Sequence, residues 1–202
     1  DAGEITDIVN IYSLISFNFG PPLLSWMQRH RPALHAAIVE ADRLSRQRFS
    51  GHGAALAQVF DHMIMPLASE RDKRTQVIWG LRDFAKRFGR SAEGMWLPET
   101  AVDVATLEVL AENGVLFTVL APHQALRVRG KNESKWQDVN GGHIDPTTAY
   151  LCRLPSGRSI NLFFYDGPIS RDIAFGGLLA SGEAFANRLL GAFSEQRGRP
   201  QL

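Results

Sequence analysis

Glu99 closes the short apolar run Gly94-Met95-Trp96-Leu97-Pro98-Glu99. A carboxylate held at such a point can act as nucleophile, general acid or general base. Thr100-Ala101-Val102-Asp103 follows, with the Ser/Thr-x-x-acid spacing that lets Thr100 cap a helix and sets Asp103 near its positive end. That helix is expected to run through Leu107 and Leu110 and to stop at Asn113-Gly114, a pair that accepts a left-handed backbone. Val115-Leu116-Phe117-Thr118-Val119-Leu120 then reads as a strand. Strand, acid, helix, strand is the order of a β/α barrel, where an acid at the C-terminal end of a strand lies on the face that does chemistry. Spacing alone leaves a second reading open, in which Glu99 is a first-turn acid stabilising its helix through the dipole.

Other reactive side chains point to less. The six histidines include no His-x-x-x-His pair and no His-Glu-x-x-His motif, and His30 and His35 are five apart and share no helical face, so no metal is expected. The single cysteine, Cys152, excludes an internal disulfide and a cysteine-based zinc site. Its flanks, Tyr150-Leu151 and Arg153-Leu154, suggest a strand and an inert thiol. This cysteine usage fits a reducing compartment, and a cytoplasmic location is the expectation.

The elements that must position Glu99 fit within one domain of 202 residues, 45% hydrophobic and 21% charged, with no internal repeat, low-complexity segment or linker. A net charge of +1 gives no electrostatic reason to expect nucleic acid or an anionic membrane as partner. Arg127, Arg129 and Lys131, near Lys135, read as a solvated loop. No run of about 18 apolar residues suggests a transmembrane helix. From Ile5 to Phe19 the second half reads as a buried strand, stopped by Gly20-Pro21-Pro22. Leu23-Leu24-Ser25-Trp26-Met27 opens a helix that Arg31-Pro32 breaks. Ala33 to Phe49 is a second helix, with Leu34, Ile38, Ala41 and Leu44 on one face.

After Ser50-Gly51-His52-Gly53, the spacing of Leu56, Val59, Phe60 and Met63 predicts a helix over Ala54 to Met63, ended by Pro66. A long helix follows over Gln76 to Phe88, with Ile78, Leu81, Phe84, Ala85 and Phe88 inward, and then a strand over Ala92 to Leu97. Arg127 to Asp145 is either a long loop or a weak hairpin. Thr148 to Leu154 and Ser159 to Tyr165 alternate as a hairpin around Pro155-Ser156-Gly157-Arg158. Asp166-Gly167-Pro168 ends its second strand, and Ile173 to Ala180 and Glu183 to Phe193 read as helical. The absence of an initial methionine, and a last stretch, Arg197 to Leu202, that resembles the approach to another strand, suggest an internal piece of a longer protein.

Met95-Trp96-Leu97-Pro98-Glu99 resembles the third conserved region of glycoside hydrolase family 57. Three further segments are similar to that family in the right order. They are Phe17-Asn18-Phe19-Gly20-Pro21-Pro22-Leu23-Leu24, Asp61-His62-Met63-Ile64-Met65-Pro66-Leu67, and Phe163-Phe164-Tyr165-Asp166-Gly167-Pro168-Ile169-Ser170 with Ile173 and Phe175. The resemblance covers nearly the whole chain and is nearest to a branch with a C-terminal domain of unknown function. It implies an α/β fold that is part of an incomplete seven-stranded β/α barrel, and retaining chemistry on α-glucans without a cofactor or metal.

The resemblance also implies roles. Glu99 takes that of the nucleophile. A retaining glycosidase needs a second carboxyl about 5–5.5 Å away to protonate the leaving oxygen. The family's Asp-Gly-Glu motif that supplies it is absent here and is expected beyond Leu202, so the 202-residue chain alone is expected to be inactive. Trp96 is either a sugar-stacking wall or a core tryptophan of its strand. His62 either donates to substrate hydroxyls or is a satisfied histidine at a helix end. His123, after a strand in Ala121-Pro122-His123-Gln124, lines the pocket or does not. Asp166 holds a substrate hydroxyl, orients Glu99 or simply makes a turn. His52, between two glycines, either lies near the site or is a plain loop residue, and Trp136 is a lid or a tryptophan packed on its own domain.

Characterised members more often carry Ser-Asp where this chain has Ser170-Arg171-Asp172, which leaves Arg171 open to altered substrate contacts. The partner implied is an oligo- or polysaccharide substrate. The rival is a non-catalytic carbohydrate-binding or regulatory barrel that has lost turnover. Polysaccharide deacetylation on a related architecture would need an Asp/His metal set that the sequence lacks.

Overall fold

Phe17–Asn18 (β1) runs into Gly20, and Pro21 and Pro22 occupy the first turn of Pro21–His30 (α1), where their missing N–H groups cost nothing. The computed structural model describes residues 8–191 and 193. Arg31 closes α1 and opens Pro32–Arg48 (α2), because Pro32 cannot continue the hydrogen-bond ladder. Ala55–Gln58 (β2), Glu70–Phe88 (α3), Met95–Trp96 (β3) and Val104–Glu112 (α4) follow. The three strands pair in parallel in the order β1-β2-β3, with Phe17 opposite Ala55, Ala57 opposite Met95 and Gln58 opposite Trp96.

Three expectations are corrected here. The predicted helix over Ala54 to Met63 is β2 followed by a turn. Ala54, Ala55, Ala57, Gln58 and Val59 are all buried. A central parallel strand covered on both faces loses the two-residue alternation, and a short apolar run cannot be told from a helix by periodicity. The inner face of α2 is Ile38, Ala41, Asp42 and Ser45, whereas Leu34 and Leu44 face outward at 48% and 36% exposure. Asp42 and Ser45 turn inward because their oxygens accept the backbone N–H groups of Ala55 and Ala54, both at 2.8 Å. Thr100 is not the cap of α4. Asp103 is the cap of α4, its Oδ1 accepting from the Thr106 backbone N–H at 2.7 Å. Asn113 and Gly114, at φ +78°, end α4 as expected.

α3 begins earlier than expected, where the Ser69 side chain accepts from Asp72 N–H, and ends at left-handed Gly89. Its buried face is Lys73, Gln76, Val77, Gly80 and Phe84, rotated about one residue from the expected one, with Ala85 exposed. Gly80 is where α3 meets β2: a Cβ there would lie 2.2 Å from the Gln58 carbonyl oxygen and 3.3 Å from Val59 Cα. Both are backbone atoms that cannot swing aside. Gly80→Ala is therefore expected to destabilise by at least the upper part of the about 1–3 kcal/mol usual for overpacking. Urea denaturation checks it, and an unchanged midpoint would contradict the contact.

Among the described residues one compact unit runs to Leu116 and takes in Leu154–Arg158, and a second holds Phe117–Arg153 and the residues from Ser159 onward. In the second unit Phe117–Leu120 (β4) pairs in parallel with Ser159–Phe164 (β8), and β8 pairs antiparallel with Tyr150–Arg153 (β7), the expected hairpin. Arg127–Val128 (β5) and Gln137–Asp138 (β6) form a two-stranded antiparallel ribbon, the hairpin alternative for that stretch. Gly167–Ala174 (α5) starts before the expected position, because the Asp166 Oδ1 accepts from Ile169 N–H at 2.8 Å, and it stops before left-handed Gly177. Gly182–Leu190 (α6) ends the described structure's regular elements. The reading of Arg197 to Leu202 falls outside the described residues, as does the beginning of the Ile5 to Phe19 segment. Among the described residues the fold is mixed α/β, in sheets of three, three and two strands. No helix among the described residues is long and apolar enough to cross a membrane.

Candidate active site

Two strand ends of the first unit converge on Glu99. Beyond β3, Leu97 and Pro98 are fully buried and anchor the chain. Glu99 then turns into the left-handed region (φ 55°, ψ 17°), and its side chain is 71% exposed. Beyond β2 the chain turns at His62, also left-handed at φ 54°. That turn is pinned by Gln76 of α3, whose Oε1 accepts from Asp61 N–H at 2.8 Å and whose Nε2 donates to Asp61 Oδ2 at 2.9 Å. The result places His62 Nε2 3.3 Å from Glu99 Oε1, and His62 Nδ1 3.1 Å from Gln58 Nε2.

Four non-glycine residues among those described have positive φ, namely Ser50, His62, Glu99 and Thr100. Three of them meet at this site. Each left-handed non-glycine residue costs about 1–2 kcal/mol, and such strain persists where the surroundings over-determine it. Thr100 is held there while its hydroxyl donates to the Glu99 carbonyl at 2.6 Å, and α4 starts only at Val104, after Asp103.

Behind this turn, buried Lys73 donates from Nζ to Asp103 Oδ2 at 2.6 Å, joining α3 to the cap of α4. Burial pushes the Asp103 carboxyl up, but the Lys73 ammonium and the Thr106 hydroxyl and N–H outweigh it and hold the carboxyl below the usual range. A folded pKa below the unfolded value gives stability that is complete above the unfolded value and fades as pH falls through the folded one. Asp103→Asn is therefore expected to lower the melting temperature at pH 7 and to narrow its difference from the parent below about pH 4, near the ordinary Asp value. Melting curves at both pH values check this, and a constant difference would refute it.

Trp96 sits on β3 in register with Gln58, half-buried. His123 and Asp166 belong to the second unit, where both line a cleft of about 700 Å³ with Tyr165, Arg171, Phe175 and Gly142. Asp166 is at the same time the cap of α5. The sequence-derived residues thus form two groups, Glu99 with His62 and Trp96 in one unit, and His123 with Asp166 in the other.

Gln58 escaped sequence reasoning because it lay within the segment read as a helix. The available signal was length: the largely apolar run between Gly53 and Asp61 is only seven residues, too few for a typical helix and ordinary for a strand. His52 pairs with Glu93 at 3.0 Å. Trp136 packs in its own unit, with the Arg127 and Arg129 guanidinium groups each 5.0 Å from its ring. Cys152 lies on β7, where burial pushes its thiol pKa up, away from thiolate chemistry. Among the described residues no three His, Cys, Asp or Glu side chains gather to hold a metal.

A sequence profile described as Glycosyl hydrolase family 57 matches residues 15–199. Among solved structures, a 4-alpha-glucanotransferase from Thermococcus litoralis is 19% identical with a TM-score of 0.64, the match covering 94% of this chain and 26% of that one. An exo-type maltose-forming amylase from Pyrococcus sp. ST04 is 20% identical with a TM-score of 0.58, the match covering 86% of this chain and 28% of that one. At these identities the likeness is one of fold, and the chain spans about a quarter of the length of either protein. Comparison with curated proteins finds no match.

Proposed function

Because the chain belongs to glycosyl hydrolase family 57, we propose that it is part of a retaining glycoside hydrolase or transglycosylase acting on α-glucans, with Glu99 as its nucleophile. The observation that carries this reading is the family match across residues 15–199, with an exposed Glu99 at the end of β3 and His62 in hydrogen-bond contact with it. In this mechanism the Glu99 carboxylate attacks the anomeric carbon as a second carboxyl group, about 5–5.5 Å away, protonates the departing oxygen. Water or a sugar hydroxyl then resolves the glycosyl ester, giving hydrolysis or transfer with retained configuration.

The second carboxyl is proposed to be an aspartate C-terminal to Leu202. In the first unit Trp96 would present an aromatic face to a sugar ring and His62 would contact substrate hydroxyls; in the second, His123 and Asp166 would contact substrate hydroxyls. The incomplete seven-stranded barrel belongs to the same proposal, supported by the parallel pairings β1-β2-β3 and β4-β8. So does the assignment of all 202 residues to one catalytic domain.

The test is the full-length protein on an α-1,4-glucan, with the anomeric form of the first product followed by NMR. Retention is expected, and inversion or absence of turnover would overturn the proposal. The 202-residue chain alone is expected to be inactive. Turnover by it would overturn the assignment of the proton donor.

A further inference from the structure

We propose that Gln58 is a positioning residue that locks His62 as the neutral Nε2–H tautomer, so that the ring presents a proton to Glu99 without carrying a charge. Its catalytic consequence rests on Glu99 being the nucleophile, but the tautomer does not. The argument starts from what each atom can do. An amide nitrogen only donates, and Gln58 Nε2 lies 3.1 Å from His62 Nδ1, so Nδ1 must offer its lone pair. A neutral ring then carries its proton on Nε2, which lies 3.3 Å from Glu99 Oε1, an atom of a carboxylate that only accepts. Donor meets acceptor at both contacts. The other neutral tautomer would set N–H against N–H at one end and lone pair against carboxylate at the other.

The amide faces Nδ1 with its nitrogen from an enclosed position. Gln58 is buried on the central strand of its sheet, with Gly80 of α3 against its backbone carbonyl. A Cβ on Gly20 would lie 2.9 Å from Gln58 Oε1, so a side chain at position 20 would crowd the amide. The reversed amide would place Oε1 against Nδ1 and call for a proton there. With Glu99 at Nε2, that state is an imidazolium, and its ion pair with Glu99 would hold the carboxylate back from attack. The neutral donor orients the carboxylate and leaves its charge in place.

The test reads the ring directly. ¹⁵N NMR of the His62 imidazole at pH 7 is expected to show a protonated Nε2 and a bare Nδ1, both in this chain and in the full-length protein. An imidazolium or an Nδ1–H tautomer would overturn the proposal without any variant being made. Gln58→Glu supplies an acceptor opposite Nδ1 and is expected to convert the ring to imidazolium. Gln58→Met removes the donor and is expected to give a mixture of neutral tautomers. An unchanged spectrum in both variants would also overturn the assignment. In the full-length enzyme Gln58→Glu is expected to lower kcat about 10–100-fold, with KM nearly constant, and an unchanged kcat would remove the positioning role. If instead the spectra behave as expected and Glu99→Gln retains activity, the nucleophile reading fails and the tautomer lock stands.

Discussion

Glu99→Gln in the full-length protein is expected to lower kcat by about 10,000-fold or more, the scale seen when a covalent nucleophile is removed. The amide keeps the shape and the hydrogen-bonding reach of the side chain but cannot form the glycosyl ester. The side chain is 71% exposed, so losing its charge strands no buried partner and stability should stay within about 0.5 kcal/mol. Equal activity in parent and variant would sink the nucleophile assignment.

Glu99→Gly separates strain from chemistry. Glycine accepts φ 55° freely, which recovers about 1–2 kcal/mol of left-handed strain. Its greater freedom in the unfolded chain offsets about 0.5–1 kcal/mol of that. The expected result is an inactive protein that is up to about 1.5 kcal/mol more stable by urea denaturation. A loss of stability would mean that the Glu99 side chain, rather than its backbone, holds the turn.

Asp42→Ala is expected to cost about 3–5 kcal/mol, the range for breaking a buried ion pair from one side. Asp42 is 1% exposed and binds Arg90 through two contacts, Nε to Oδ2 at 2.9 Å and Nη2 to Oδ1 at 2.7 Å. Arg90 also donates to the Ala55 carbonyl at 2.9 Å, and Ala55 N–H donates to Asp42 Oδ1 at 2.8 Å. The space is closed at Gly53, where a Cβ would lie 2.2 Å from Arg90 Nη2 and 2.4 Å from Asp42 Oδ1. Removing the carboxylate leaves the Arg90 guanidinium without its counter-charge, though still bonded to the Ala55 carbonyl, and leaves the Ala55 N–H without its acceptor.

Because Ala55 opens β2, which leads to Gln58 and His62, the damage should reach the site, and His62 should lose its single tautomer in the same variant. Asp42→Leu with Arg90→Met should cost clearly less than the sum of the two single changes, since both charges leave together. Chemical denaturation of the four proteins closes the cycle. Additive losses would show that the pair is not coupled.

The parts of the fold that the sequence determined alone are those settled within a few residues. Pro21-Pro22 opens α1, Arg31-Pro32 divides α1 from α2, Asn113-Gly114 ends α4, and Pro155 to Arg158 turns the β7-β8 hairpin. Each depends on a fixed φ, a missing N–H or a tolerated left-handed residue, and those constraints travel with the residue type. Glu99 was legible as the candidate acid in the same way, from the run that carries it.

Tertiary structure decided the rest. Burial on both faces made β2 a strand where spacing favoured a helix. The closeness of α3, possible only at Gly80, set Gln58 and the turn at His62. Thr100 was drawn into a left-handed turn, and the capping passed to Asp103. His62 and Glu99, 37 residues apart, meet at 3.3 Å because parallel pairing brings the ends of β2 and β3 together. A residue's own chemistry sets its local backbone, but which side chains share a site depends on how the strands that carry them are packed.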